Sequence, residues 1–539
     1  MPTTAAVGVR TTSSTSGIVP RSLPFNPPRK LRAMVAVPAR AQVKLRQLSL
    51  SRWHVAIAVV AVAGVVARVV VYRSILDVPS ADEGLVGLWA IHAARGDFTT
   101  FFWGLHYGGT QEALLSVPLF LLFGPSWIAL RIVPLLLSGA AALLVWRVGR
   151  RTIGERAGLA AGAIFWIWPP YVLLTTTRGG FYASNVFYCA LVMLLGLRIV
   201  EQPSRLRVGV FGLVLGLAYW QTSQIVPIAV PVIAWTIWKV PRALRHIWIA
   251  APLAVVGALP WLVWNVRHSF SSLDLLSYDV HSTYSHRLRI FLSPLLPMIT
   301  GLRTPFTQTL TLPAPLTYLI YAALVALFAY GFVRTRRTNA SMLYVIAVVF
   351  PFLYALSAWT VESSDPRYLI VFTPVLALLI AQLGTRFVPA TVLVLAMGAL
   401  SFAVLHTMHR NVVETLNPAL GAPNDFRPLI KTLDRLGVRY VYSTHWIAYR
   451  LAFETDERII GVKNDFTSVS FSHGQAQPAL NPFFIRYPPY ERAVGEHRHA
   501  FVFYSGLLDS IPIVKPLERY GYKPHRVGGL VVYTLPRGR

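Results

Sequence analysis

Apolar runs of about 18 residues or more recur between residues 54 and 406, each long enough to cross a bilayer as a helix. A helix apolar on every side has no face for water, so the runs need lipid or the inside of a helix bundle. The chain is therefore read as a polytopic α-helical membrane protein with about eleven transmembrane helices. The spans are expected at 54–73, 127–147, 157–174, 183–200, 208–222, 225–240, 247–265, 314–333, 341–358, 368–384 and 388–406. Pro227 and Pro231 make the stretch 208–240 the place where a kink is expected.

The formal net charge is +28, which in a soluble protein would suggest a nucleic-acid partner. Here the basic residues are grouped in alternate loops instead. Arg147, Arg150, Arg151 and Arg156 form one group, and Arg198, Arg205 and Arg207 a second. Lys239, Arg242 and Arg245 form a third, and Arg334, Arg336 and Arg337 a fourth. Basic residues at every second loop are the mark of a cytoplasmic face, and anionic membrane lipids are the expected partner rather than nucleic acid. With the N-terminus inside, alternation places 74–126, 175–182, 266–313 and 359–367 outside, together with the C-terminal segment.

Three regions are expected. Residues 1–52 carry basic residues and no acid before Ser51; lacking an apolar core, they read as a disordered cytosolic tail rather than a secretory signal, with a transit peptide as the alternative. Residues 53–406 form the membrane domain, with the outside loop 74–126. Residues 407–539 alternate amphipathic helices (DFRPLIKTLDRLG, HWIAYRLAFETD) with strands (VRYVYS, ERIIGVK, HAFVFYSG, GLVVYTLP), the pattern of a small α/β extracytoplasmic domain. The single cysteine, Cys189, lies in an apolar run and reads as a packed thiol.

Acids are scarce, so the loop VPSADEGLVGLWAIHAARGD (78–97) stands out: it places Asp82 and Glu83 just beyond the first span. Ser80-Ala81-Asp82-Glu83 fits a helix capping box, which alone would explain both acids. Were they functional, helix geometry would still separate them, because neighbouring positions point about 100° apart. One carboxylate would then face the reacting atoms as a general base, and the other would cap the helix or hold a basic partner.

The same region resembles the GT-C superfamily of glycosyltransferases, which includes the protein O-mannosyltransferases and the aminoarabinose transferase of lipid A. The likeness lies in the order of motifs: Asp82-Glu83 after the first span, ARGDF, LFGPSWIALRI, and the late span opening DPRYLIVFTPVLALLIA. It covers roughly residues 54–400. It implies a GT-C-like fold in the plasma membrane and transfer of a sugar from a polyprenyl-phosphate donor to a glycan, lipid or protein acceptor outside. Asp82, with Glu83, occupies the catalytic position, and the transfer would invert the anomeric centre. Such a reaction needs no cofactor. Arg367 and Tyr368 stand where a cationic seat for the lipid phosphate is wanted, since phosphate at a helix start satisfies both an arginine and free N–H groups; a local pair with Asp365 or Glu362 is the plainer alternative. Arg178, beside Gly179 and Gly180, is a second candidate for the phosphate. Glu112 and His106 are candidates for substrate contact, with helix-start and surface roles as alternatives.

The chain departs from its relatives at two places. The window RGGFYASN has no carboxylate where many of them carry a second acid, and GGTQEALL replaces their Lys-Pro-Pro. No metal motif appears: His268, Asp274, Asp279, His281 and His286 lack ligand spacing. Ser443, His445 and Glu454 show no nucleophile pattern and are expected at the surface. A transporter or flippase of a lipid-linked substrate, or an oligosaccharide ligase, would share the topology. A transporter would place its ionisable residues near the middle of the spans.

Overall fold

Every apolar run expected to cross the membrane is built mainly of helix in the computed structural model, which describes residues 52–276, 282–357, 360, 362–415, 421–479 and 486–536. The basic leader up to residue 51 lies outside the described residues, as do Tyr278, Asp279 and His281. Residues Ala56–Arg539 make one compact unit, separate from Met1–Val55, and all that follows concerns the former.

From the first span, α1 (Arg52–Tyr72), the chain passes through a turn to α2 (Ala81–Ala94) and α3 (Gln111–Phe123) in the loop region. The helices α4 (Trp127–Thr152), α5 (Glu155–Ile167), α6 (Pro170–Thr175), α7 (Tyr182–Glu201), α8 (Arg205–Gln221) and α9 (Val226–Lys239) follow. Next come α10 (Ile247–Gly257), α11 (Leu259–Arg267), α12 (Tyr284–Ile290) and α13 (Leu296–Thr300). The last four are α14 (Ala314–Thr335), α15 (Ser341–Tyr354), α16 (Thr373–Gly384), preceded by a 3₁₀ turn at Arg367–Phe372, and α17 (Ala390–Thr415). Among the described residues, six of these are long and apolar enough to cross a membrane alone. A seventh is added if the helices Ser223–Lys239 and Pro241–Gly257, bent by 113°, count as one. The difference from eleven has local causes. Pro169 and Pro170 end α5, α10 and α11 meet at Ala258, and α15 has only 14 residues. The bend falls after α9 rather than at Pro231, which sits inside that helix.

Burial orders the bundle. The span Arg367–Gly384 and α7 are mostly enclosed, whereas α1, α14 and α17 expose apolar side chains such as Val62, Leu319 and Leu395. Exposed apolar surface on span-length helices is what a lipid solvent stabilises. The enclosed core joins α4, α5, α7, α9, α15 and α16.

The C-terminal segment folds into a five-stranded sheet. Its strands are β1 (Tyr440–Ser443), β2 (Ile460–Lys463), β5 (Ala500–Tyr504), β6 (Lys523–Val527) and β7 (Leu530–Thr534), and β3 (Val469–Ser472) and β4 (Gln475–Pro478) form a separate hairpin. The order is β2-β1-β5-β7-β6, parallel across β2, β1 and β5 and antiparallel beyond. Helices α18 (Arg427–Leu436), α19 (His445–Glu454), α20 (Pro488–Glu496) and α21 (Val514–Tyr520) complete the domain. The four strands and two helices expected from sequence lie where they were read; the hairpin, β6, α20 and α21 are additions.

This domain sits directly on the loop region between α1 and α4, because α19 packs along α2. The approach requires glycine twice. A Cβ at Gly84 would lie 2.9 Å from the Tyr449 carbonyl oxygen, and one at Gly87 only 2.3 Å from the Phe453 ring. Trp103 stacking on Tyr487, with ring centroids 4.0 Å apart, and the Glu457 carboxylate held by His92, Arg95 and Tyr490 fasten the same junction.

Candidate active site

The start of α2 separates the two acids as its geometry demands. Ser80 caps the helix, its Oγ accepting from the Glu83 N–H at 3.2 Å. The Glu83 side chain turns away from the cap and is fully buried. It accepts two hydrogen bonds from Arg131, from Nε and Nη2, each at 2.6 Å, and a third from the Gly179 N–H at 3.2 Å. Arg131 also donates through Nη1 to buried Asp77 at 3.0 Å. The other oxygen of Asp77 is held by Arg178, whose Nη2 donates to the Leu76 carbonyl at 2.8 Å. Two carboxylates and two guanidiniums thus form a neutral, largely enclosed set. Glu83 and Arg178 belong to it, and neither is brought beside Asp82.

Asp82 faces the other way. Its side chain is 53% exposed, and Oδ1 lies 2.8 Å from His445 Nε2, on the first residue of α19. Around it, within electrostatic reach, are Arg367, Arg486, Tyr107, Tyr182 and Tyr368. Crowding by protein opposes ionisation of the carboxyl. The hydrogen bond and charge of His445, with the charges of Arg486 and Arg367, outweigh that and hold it below the usual aspartate range. Asp82 is therefore an ionised, reachable carboxylate within electrostatic reach of Arg367 and Arg486.

Arg367 opens the 3₁₀ turn ahead of α16, and Asp365 holds it there. The Asp365 carboxylate accepts from the Arg367 N–H at 3.0 Å and from its Nε at 2.6 Å, and the Tyr171 hydroxyl bonds it as well. Pro366 is the residue that precedes the turn. Glu362 bonds Ser364 instead of the arginine. The plain local pair is thus present, yet 42% of the Arg367 side chain stays exposed, and its charge is felt at Asp82. Tyr368 follows it and packs partly into the membrane core.

Glu112 and His106 lie elsewhere. Glu112 is buried and accepts from the Ser184 N–H (2.9 Å), the Ser184 hydroxyl (2.7 Å) and the Gly180 N–H (3.1 Å). It ties α3 to the start of α7, where a carboxylate also meets the helix dipole favourably. His106 is exposed, its ring 5.1 Å from that of Trp264, which stacks on His268. Among the described residues no three potential metal ligands converge.

Residues 114–264 match the family model of the dolichyl-phosphate-mannose-protein mannosyltransferases. The fold is similar to crystal structures of ArnT from Cupriavidus metallidurans, one bound to undecaprenyl phosphate and one in the apo state. The TM-scores are 0.60 and 0.59, at 14% and 13% identity, over 89% of this chain and 97% of those chains. The chain has the GT-C fold. The family match is confined to residues 114–264, and the likeness to ArnT is one of fold over most of both chains. A weaker likeness, with TM-score 0.46 and 12% identity over 90% of this chain and 74% of that one, is to the Archaeoglobus fulgidus oligosaccharyltransferase AglB with an inhibitory peptide and a dolichol-phosphate. No curated protein sequence matches the chain.

Within this GT-C fold, sequence reasoning passed over four residues. Arg131 stands in the quoted LFGPSWIALRI motif; a guanidinium inside an apolar run needs a buried acid, and that was the available signal. Asp77, five residues before Asp82, is its counterpart. His445 follows strand β1 and opens a helix, and the carboxyl ends of parallel strands are where α/β folds place functional groups. It is bonded to Asp82 rather than left as a surface residue. Arg486 gave no signal.

Proposed function

We propose that this protein is a glycosyltransferase that moves a sugar from a polyprenyl-phosphate donor to a hydroxyl of a glycan, lipid or protein acceptor at the outer face of the plasma membrane. In this reading the N-terminus is cytoplasmic and the C-terminal domain extracytoplasmic. The observation that carries it is the exposed Asp82 carboxylate lying in one cluster with Arg367. The acceptor oxygen attacks the anomeric carbon while Asp82 takes its proton. The bond from that carbon to the phosphate oxygen breaks, its electron pair stays on the lipid phosphate, and configuration inverts. Arg367 neutralises the charge gathering on the departing phosphate. The undecaprenyl phosphate bound to the similar ArnT supports a lipid phosphate as the leaving group.

The cations that keep Asp82 ionised would also make it a weak base. A bound phosphate offsets their charge, so the carboxylate gains basicity when the donor is in place. Base strength thereby follows donor occupancy. Glu83, sealed against Arg131, positions α2 and takes no proton.

The test is incorporation of labelled sugar from a polyprenyl-phosphate donor by Asp82→Asn in purified, folded protein. Transfer is expected to fall by roughly 10²- to 10⁴-fold. Normal transfer removes Asp82 as base, and transport of the lipid-linked sugar in vesicles without covalent product removes the enzyme reading altogether.

A further inference from the structure

The hydrogen bond on Asp82 comes from outside its own loop and from outside the membrane domain: His445 is 363 residues further along the chain. Two histidines of the C-terminal domain show what is unusual about it. His499 is buried with both ring nitrogens within hydrogen-bond distance of backbone carbonyls, that of Ala476 2.7 Å from Nε2 and that of Val494 3.0 Å from Nδ1, contacts made wholly inside the domain, as expected of a histidine that serves the fold. His445 is only slightly exposed, its Nδ1 is buried with no hydrogen-bond partner, and Nε2 is spent on Asp82. Its ring is packed by Trp446 and Tyr449, with centroids 5.2 and 5.3 Å away. The close contact of α19 with Gly84 fixes the distance between the two helices. A ring held this firmly, with a single hydrogen bond to an exposed carboxylate, orients that carboxylate.

We propose that His445 is a positioning residue for sugar transfer, so that the C-terminal domain supplies one wall of the active site. His445 holds Oδ1 of Asp82 and leaves Oδ2 for the acceptor hydroxyl. From the same domain Arg486, whose Nε is buried without a hydrogen-bond partner while Nη1 donates to the Trp103 carbonyl at 3.5 Å, adds a second cation beside Arg367 for the donor phosphate. The inference rests on Asp82 being the general base.

The charged and titratable groups that face Asp82 are His445 and Arg486 from the C-terminal domain, Arg367 and Tyr368 from the late span, Tyr107 from the outside loop and Tyr182 from α7. Of these, His445 alone bonds the carboxylate among the described residues, so its removal should move the acid limb of the rate profile. Without the bond Asp82 protonates more readily, and the limb shifts to higher pH.

The experiment uses full-length protein, a labelled polyprenyl-phosphate sugar, and the variants His445→Ala and His445→Gln. For His445→Ala, kcat is expected to fall about 10- to 100-fold with donor KM little changed, and the acid limb to move upward. His445→Gln, whose amide can donate to the same oxygen, is expected to recover most of kcat. Arg486→Ala should instead raise donor KM. Wild-type kcat and pH profile in His445→Ala overturn the inference. So does equal inactivity of the Ala and Gln variants accompanied by an equal drop in melting temperature, which marks a packing residue. If Asp82→Asn retains activity the base reading itself fails; if Asp82→Asn is inactive while His445→Ala is normal, only the role of His445 is lost.

Discussion

Asp82 and Glu83 are neighbours in sequence, yet they belong to opposite kinds of charge cluster. The cluster of Glu83, Asp77, Arg131 and Arg178 balances two negative charges with two positive ones, and its carboxylates and Arg131 are enclosed. That of Asp82 is open, with His445, Arg367 and Arg486 around a single exposed acid beside the Asp365 pair. A largely enclosed set with balanced charges has little left to offer a ligand and serves to hold helices in register. An open set, in which Asp82 and part of Arg367 stay exposed, is free to meet a ligand, and its arginines are stabilised by an incoming anion. One helical step between adjacent residues is enough to assign them to the two roles.

The largest effect on stability should come from opening the closed cluster. Arg131→Met leaves Asp77 and Glu83 buried without that cation, and a loss of about 3–5 kcal/mol is expected, read as a lower melting temperature in detergent. If Arg131→Met melts like the wild type, the cluster does not hold α2 in place and the contrast fails. In the open cluster, Arg367→Ala takes the arginine from one buried acid, Asp365, rather than from two, so it should lower melting less than Arg131→Met while weakening donor binding by about 1.5–3 kcal/mol, the worth of a charge-assisted hydrogen bond. Donor KM is the readout; a pure fall in melting temperature would move Arg367 to the structural side of the comparison.

A smaller effect concerns the junction that brings His445 to Asp82. Burial opposes protonation of His92, but its bonds to Glu457 and Asp97 outweigh this and raise its pKa above 6.5. Burial likewise opposes ionisation of Glu457, and bonds from His92, Tyr490 and Arg95 lower it from 4.5 to about 2. A raised histidine stabilises fully below 6.5 and loses that contribution as pH climbs through its folded value. A lowered glutamate stabilises fully above 4.5 and loses it as pH falls toward about 2. The junction should therefore be tightest between about pH 4.5 and 6.5. Limited proteolysis of the C-terminal domain should be slowest in that window, and His92→Ala should flatten the dependence.

The order of spans, the basic loops, the Asp-Glu loop and the alternation of helix and strand after residue 407 were all readable, because each is set by local periodicity or by charge. What sequence alone could not supply were partners distant along the chain. Arg178 looked like a seat for phosphate at a glycine turn, but it is bound to Asp77, 101 residues earlier. Glu112 looked available to a substrate, but the N–H groups at the start of α7 take up its oxygens. His445 looked dispensable because nothing local marks the residue that will meet Asp82 across a domain boundary. The number of spans was read from length alone, whereas Pro169 and Pro170 interrupt one run, a break at Ala258 divides another, and α15 is short.

The most direct measurement is single-turnover transfer by Asp82→Asn with the labelled donor already bound, beside Glu83→Gln. Asp82→Asn should bind donor and melt like the wild type while the chemical step slows by at least about 100-fold; Glu83→Gln should lower the melting temperature. A chemical step in Asp82→Asn as fast as in the wild type would contradict the assignment of the open cluster to catalysis.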